Sequence, residues 1–407
     1  MKILVYGINY TPELTGIGKY TGEMCAWLAS RGHRVEVITA MPYYPQWKVN
    51  SKYRGKWWFT EMIDKVKVHR CPLYVPAKVS GSTRIVHEIS FMVSSTLFWM
   101  SNFFKKYDCV IAICPPLLSG IFPRLYNIVW KKPFIYHIQD LQLDAAKELG
   151  LIKNRFFLKI LELIESHLVN NANTVSSISA GMKNNILKKG VKESAYFSLP
   201  NWVDTDFIKP VDKNNPLKKR LGFAEEDKIV LYSGNIGEKQ GLELLIEVAE
   251  NFKDQPEVFF VFVGEGAYKA KLIEVVTEKN LKNVKFFSLQ PYEDLPYLLG
   301  LADVHLVLQK KVASDLVLPS KLMSVLSAGG LAIVSATENT TLYNLITNEK
   351  MGIIVEPENS TALSKAIEGA LFANNETLKA NARSFALRDL HIDHILGKLE
   401  EFLQKKH

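Results

Sequence analysis

Apolar runs alternate with amphipathic stretches along most of the chain, and glycine-rich turns sit at several of the junctions. The pattern is sharpest in Ile229 to Ile246, IVLYSGNIGEKQGLELLI, which predicts a buried strand, a turn holding Gly234, Gly237 and Gly241, and a helix of leucine spacing. The same order opens the chain. Lys2 to Asn9 reads as an apolar strand, TPELTGIGKYTGEMCAWLASRGH as a glycine loop entering a helix with Met24, Trp27 and Leu28 inward, and Arg34 to Thr39 as a second strand. Strand, loop, helix and strand in this order predict a doubly wound parallel sheet, with ligands beyond the carboxyl ends of its strands.

The rhythm continues through a strand-like VKVHRCPLYV, a long apolar helix, strands at Cys109 to Cys114 and Pro133 to Ile138, an amphipathic helix over Asn154 to Asn171 and a strand at Thr174 to Ile178. SLPNWVDTDFIKP then interrupts it, which places a domain boundary near Pro210. Beyond it come strands ending at Gly264 and Gln309 and including VKFFSL, with helices over Tyr268 to Lys279 and Leu295 to Leu299. The expected fold class is α/β, with two Rossmann-like, doubly wound domains over residues 1–209 and 210–389 facing a cleft, and a terminal helix over about 390–407 packing back on the first.

Composition narrows the function. A chain of 407 residues, 47% hydrophobic, has room for two large cores. MKILVYGINY lacks the long apolar core and cleavage site of a secretion signal, so a cytoplasmic location is expected. Cys25, Cys71, Cys109 and Cys114 form no CxxC pair and read as free thiols. The formal charge of +8 suits phosphorylated substrates or an anionic membrane face, whereas the absence of a zinc finger, RRM signature or basic-region heptad speaks against nucleic acid.

Candidate chemistry collects at the predicted strand ends. A strand running through glycines into a helix start presents backbone N–H groups beside a positive helix end, an arrangement suited to phosphate, though an ordinary strand-to-helix turn has the same look. Gly16, Gly18 and Gly22 give GxGxxxG rather than GxGxxG, and no acid closes the second strand, which disfavours a nicotinamide cofactor. His137 and Asp140 follow the strand PFIYHI, where a structural or a chemical role is open. Tyr43, Tyr44 and Trp47 lie on a loop at the same edge and suit a sugar face, a lipid or plain packing. In VASDLVLPSKLMSVLSAGG, Pro319 suits a first helical turn, and Ser320 and Lys321 add a hydroxyl and a cation to it.

TGIGKYTG after the first strand, HIQD at His137, LPNWVD…F at Leu199 to Phe207, SGNIGEKQG at Ser233, VGEG at Val263, and LPSK with its following AGG together resemble the retaining glycosyltransferases of family four, whose paired Rossmann-like domains are called GT-B. The resemblance covers nearly the whole chain. It implies a nucleotide-sugar donor as substrate, no further cofactor and no metal, consistent with the lack of a DxD motif suited to a metal-bound nucleotide. By resemblance, Gly234, Asn235, Lys239, Gly264, Gly266, Ser320 and Lys321 hold the donor, Gly16 and Gly18 close over its diphosphate, and His137, Lys239 and Asp315 are catalytic.

Departures from the family pattern are local. Asn235 and Gln240 stand where the family has arginine and lysine, with Lys239 one place early, and Leu316 and Ser324 replace its paired glutamates, with Asp315 adjacent to the first. The resemblance further implies transfer with retention, the departing phosphate assisting same-face attack. Long runs such as ELTGIGKYTGEM and YSGNIGEKQGLE resemble exopolysaccharide-building members, which implies GDP-fucose as donor and a lipid-linked saccharide as acceptor at the inner membrane face. A UDP-sugar donor, a nucleotide-sugar epimerase and a non-catalytic sensor are the alternatives. Ile85 to Phe104, bracketed by Arg84, Lys105 and Lys106, reads either as an interfacial element or as a core helix.

Overall fold

The computed structural model describes residues 1–13, 16–148, 154–309 and 319–406. The chain divides into two compact units, one formed by Met1–Pro200 together with the chain from Leu396 onward, the other by Asn201–Ile395.

The first unit is built on strands β1 (Lys2–Tyr6), β2 (Arg34–Ala40), β3 (Phe59–Ile63), β4 (Val66–Cys71), β5 (Cys109–Cys114), β6 (Phe134–Ile138), β7 (Thr174–Ser177) and β8 (Tyr196–Ser198). They form one sheet in the order β3-β4-β2-β1-β5-β6-β7-β8, with every neighbouring pair parallel except β3 and β4. Each residue of β5 and β6 is buried, as expected of central parallel strands covered by helices on both faces. The sequence reading missed β3. It is an edge strand whose residues are alternately half-buried and exposed, joined to β4 by a tight turn in which Asp64 and Lys65 adopt φ of 48° and 64°.

The second unit holds β9 (Lys228–Ser233), β10 (Val258–Val263), β11 (Val284–Phe287), β12 (Val304–Val307), β13 (Ala332–Ser335) and β14 (Ile353–Val355), in the order β11-β10-β9-β12-β13-β14 and parallel throughout. Its core gathers Tyr232, Ile246, Phe260 and Phe262 with Leu306 and Ile333.

The boundary falls ahead of the expected turn at Pro210 because residues 201–209 are bonded into the second unit. Val203 N–H donates to Leu390 O at 2.9 Å, and the Arg383 guanidinium donates to the carbonyls of Thr205 and Ile208 at 3.0 and 3.1 Å. At the other end, the helix Ile392–Lys406 turns its last part to the first unit, where Phe402 stacks on Phe197 with ring centroids 4.3 Å apart and Glu400 meets His33 Nε2 at 2.8 Å. All four cysteines are free and buried.

Candidate active site

In the second unit the glycine turns after β9 and β10 lie against each other. Gly234 and Gly264 have φ of 143° and 153°, values that only glycine adopts without strain. Gly234 N–H donates to Val263 O and Ile236 N–H to Glu265 O, both at 2.9 Å, and Tyr268 N–H donates back to Ile236 O at 3.1 Å. A Cβ on Gly264 would stand 1.9 Å from Gly234 O, and one on Gly266 would stand 2.1 Å from Ile236 O. This corrects the expectation that Gly234 offers a bare amide to phosphate: its N–H is already bonded, and Gly264 and Gly266 make room for backbone.

Lys321 reaches this turn from the start of the helix Ser320–Ser327, where Pro319 is the capping residue and Ser320 is exposed. Its Nζ lies 4.1 Å from the centre of the Tyr232 ring, and its Cδ would lie 3.9 Å from a Cβ at Gly234. The Tyr232 hydroxyl donates to Asn235 O at 2.7 Å, fixing the turn at its exposed residue. Burial without a carboxylate partner among the described residues brings the Lys321 ammonium down to about 7. The structure thus brings Gly234, Asn235, Ser320 and Lys321 together. Lys239 contributes its backbone to the short turn Glu238–Gln240, closed by Gly241 at φ of 63°. The Lys239 side chain and Asp315 lie outside the described residues.

In the first unit, Gly16 begins the helix Gly16–Ser30 with φ of 61°. Gly18 is needed for a different reason: a Cβ there would stand 2.5 Å from Glu13 Oε2. Glu13 is buried, accepts the N–H groups of Tyr43 and Tyr44 at 3.0 Å each and accepts Asn9 Nδ2 at 2.9 Å, so it pins the aromatic loop to β1. Burial raises its carboxyl, and those hydrogen bonds oppose the rise. The missing side chain at Gly18 thus makes room for the Glu13 carboxylate.

Gly16 also lines a cavity of about 440 Å³, together with Asn9, Tyr44, Trp47, Arg84, His87 and Glu88. Asp140 lies on the same wall, but His137 does not. The His137 ring is 2% exposed, with Nδ1 2.9 Å from Ser176 Oγ and Nε2 3.0 Å from Gln139 Nε2. Gln139 can only donate from that atom, so His137 Nε2 accepts and Nδ1 carries the proton. Burial lowers this histidine to about 4 and keeps it neutral. Of the pair expected at the end of β6, Asp140 reaches the cavity and His137 is held inside the sheet.

Sequence reasoning missed the contribution of the helix Gly81–Phe103, which is apolar on both faces and carries polar groups on the buried one. Its buried face carries His87, Phe91, Ser95, Trp99 and Asn102, with Ser95 Oγ 2.7 Å from Tyr6 Oη. Its outer face carries Val86, Ile89, Val93, Leu97 and Met100, with Val93 64% and Met100 65% exposed. The signal lies in polar residues, His87, Ser95 and Asn102, recurring at helical spacing inside an apolar run. Among the described residues, no cluster of three or more His, Cys, Asp or Glu could hold a metal ion.

Comparison with known proteins fits this architecture. The family description "Glycosyl transferase 4-like domain" matches residues 15–202, and "Glycosyl transferases group 1" matches residues 213–385. The chain is 42% identical over 402 residues to WcaI of Escherichia coli K12, named as a colanic acid biosynthesis glycosyl transferase, covering 97% of this chain and 98% of that one. Among solved structures, sucrose-phosphate synthase of Thermosynechococcus elongatus aligns with a TM-score of 0.75 at 16% identity, over 99% of this chain and 98% of that one. HepE of Anabaena, solved in complex with UDP-glucose, aligns with a TM-score of 0.72 at 16% identity over 100% of both chains. Those two likenesses concern the fold, which is that of the GT-B glycosyltransferases. The identity to WcaI carries more: across nearly its full length, this chain belongs to the group 1, family-4-like glycosyl transferases and is a glycosyltransferase.

Proposed function

We propose that the protein transfers a sugar, with retention, from a nucleotide-sugar donor to a lipid-linked saccharide during assembly of an exopolysaccharide of the colanic acid kind. GDP-fucose is the first donor proposed. The observation that carries the donor site is the Lys321 ammonium packed over Tyr232 beside the Gly234 turn, at the mouth of a helix start. An amine held there before the donor arrives, and charged in the complex, meets the charge that builds on the leaving diphosphate with little reorganisation. In this reading Asn235, Lys239, Ser320 and Lys321 hold the donor, Gly234, Gly264 and Gly266 shape its cradle, Gly16 belongs to donor binding, and Asp315 meets a hydroxyl of the donor sugar. His137 acts as a positioning residue through Gln139. Lysine and backbone dipoles take the part a metal plays elsewhere, so no metal is required.

The lipid-linked acceptor calls for a membrane surface. No helix of the described residues is long and apolar enough to cross a membrane. The outer stripe of the helix Gly81–Phe103 instead offers apolar bulk beside Arg84, Lys105 and Lys106, and the exposed Trp57 stacks on Trp58, whose Nε1 donates to Ser94 O on that helix. Docking by this stripe at the inner face of the cytoplasmic membrane fits those chemistries.

A UDP-sugar donor is the second reading, favoured by the UDP-glucose bound to HepE. A panel of GDP-fucose, UDP-glucose and other nucleotide sugars decides between them. A donor at 100 times its dissociation constant adds about 2.7 kcal/mol of stability, and the matching donor also supports transfer. A panel in which no nucleotide sugar raises the melting temperature removes the donor site. For the membrane, sedimentation with vesicles of anionic lipid is expected for the native protein and lost in the double variant Val93→Glu, Leu97→Glu.

A further inference from the structure

The cavity of the first unit contains groups that neither the fold nor donor binding accounts for. His87 is 1% exposed, and its Nδ1 lies 2.5 Å from the carbonyl oxygen of Tyr74. A carbonyl only accepts, so the proton sits on Nδ1 and Nε2 is a bare acceptor. Burial favours the neutral ring. Nε2 is buried and has no hydrogen-bond partner among the described residues. Leaving such an atom unpaired costs free energy that a ligand hydroxyl recovers on binding.

Beside it, the Glu88 carboxyl accepts from Gln142 Nε2 at 2.7 Å and from Arg84 Nε at 3.3 Å through one oxygen, Oε1. Around both lie rings: Tyr43 and Trp47 contact the His87 ring with centroids 4.5 and 5.2 Å away, and Tyr44 and Trp47 form part of the cavity wall. A cavity of about 440 Å³ that combines aromatic faces, acceptors and a single guanidinium suits a neutral polyhydroxylated ring carrying a phosphate.

We propose that this cavity recognises the acceptor's terminal sugar, with His87 Nε2 and the Glu88 carboxylate accepting two of its hydroxyl protons, Trp47 and Tyr44 covering its apolar face, and Arg84 meeting the attached diphosphate. The assignment rests on the glycosyl transfer proposed above and names the residues that select the acceptor. The geometry of the helix Gly81–Phe103 supports it, since one helix supplies Arg84, His87 and Glu88 to the cavity and the apolar stripe to the outside. A sugar in the cavity would then have its lipid tail leaving toward the surface proposed to meet the membrane.

The test uses the full-length protein without donor, with geranyl diphosphate and geranyl diphospho-sugars of glucose, galactose and N-acetylglucosamine as probes in calorimetric titration. The native protein is expected to bind one sugar probe at least tenfold more tightly than bare geranyl diphosphate. His87→Phe and Glu88→Gln should each bring that preference close to unity, while leaving nucleotide-sugar stabilisation of the second unit in place. If His87→Phe fails to fold, Glu88→Gln alone carries the test, together with deoxy forms of the preferred sugar, one of which should bind the native protein as weakly as the intact sugar binds the variant. A native protein that prefers none of the sugars, or folded variants that keep the preference, overturns the assignment. Failure of the transferase reading looks different: sugar preference would persist with no stabilising nucleotide sugar and no transfer.

Discussion

Gly264 faces the carbonyl oxygen of Gly234 so closely that a Cβ on Gly264 would stand 1.9 Å from it. No rotamer change relieves a clash with backbone, so the turns after β9 and β10 must separate if Gly264 acquires a side chain. Gly264→Ala is expected to cost several kcal/mol and to weaken nucleotide binding, because φ of 153° adds strain to the clash. Gly222 provides the contrast, with φ of 87° and open space around its α-carbon, so Gly222→Ala should cost about 1 kcal/mol and leave binding alone. Urea midpoints and nucleotide affinities of the two variants check the difference; equal costs would mean that backbone strain alone matters at Gly264.

Lys321 is expected to make donor binding depend on pH. Its ammonium is brought down to about 7 in the free protein, and a bound diphosphate raises it again. Above that value, binding must take up a proton, so affinity for a nucleoside diphosphate should fall about tenfold per pH unit until the complex itself loses the proton. Below it the ammonium is already charged and affinity should level off. Lys321→Met should bind weakly with a flat profile. Titrations between pH 6 and 9 that show the same slope in both proteins would take Lys321 out of the diphosphate site.

These two residues mark what was legible in the chain and what was not. Strands such as Cys109–Cys114 and Val258–Val263 were readable because a central parallel strand is buried on both faces and spells a continuous apolar run. The edge strand Phe59–Ile63 was not, since half of it meets water and its residues look like a loop. Glycines marked the turns, but not their purpose. What Gly264 must avoid is the backbone at Gly234, and what Gly18 must avoid is Glu13, contacts that depend on tertiary approach. Lys321 was found because a cation after proline at a helix start has a local meaning. His87 and Glu88 were overlooked because their meaning lies in which side of a helix apolar on both faces meets the cavity.

Arg383 should prove a large single contributor to the second unit. Its guanidinium donates to Ser327 O at 2.7 Å, to Ile208 O at 3.1 Å and to Thr205 O at 3.0 Å, tying the segment after Asn201 to the helix Ser320–Ser327. Thr205 and Ser327 are fully buried, so removing the fork strips their carbonyls of this donor, while Ile208 O keeps the hydroxyl of Ser327. At about 1 to 3 kcal/mol per group left unpaired, Arg383→Met is expected to cost about 2 to 4 kcal/mol. Lysine should recover little of this, because a single ammonium cannot reproduce the fork. Urea unfolding checks both variants, and a loss under 1 kcal/mol for methionine would show that the carbonyls find other donors.

His137 gives a prediction about acid. Burial lowers its folded-state value to about 4 from an ordinary 6.5, so between those values the unfolded chain binds a proton that the folded chain refuses. Stability from this residue is therefore present in full above pH 6.5 and drains away as the pH falls toward 4, by up to about 3 kcal/mol. His305, also lowered to about 4, acts in the same direction, whereas Glu13 and Glu88, raised by burial, act in the opposite one. Comparison with His137→Gln cancels those contributions, because the amide keeps hydrogen-bonding capacity toward Ser176 and Gln139 but does not titrate. The variant should be the less stable protein at pH 7.5 and gain on the native one as the pH is lowered to 4.5, while its transferase turnover stays reduced across the range if Gln139 needs His137 to hold it. A stability difference that does not change with pH would mean that the His137 ring already takes up its proton in the folded protein.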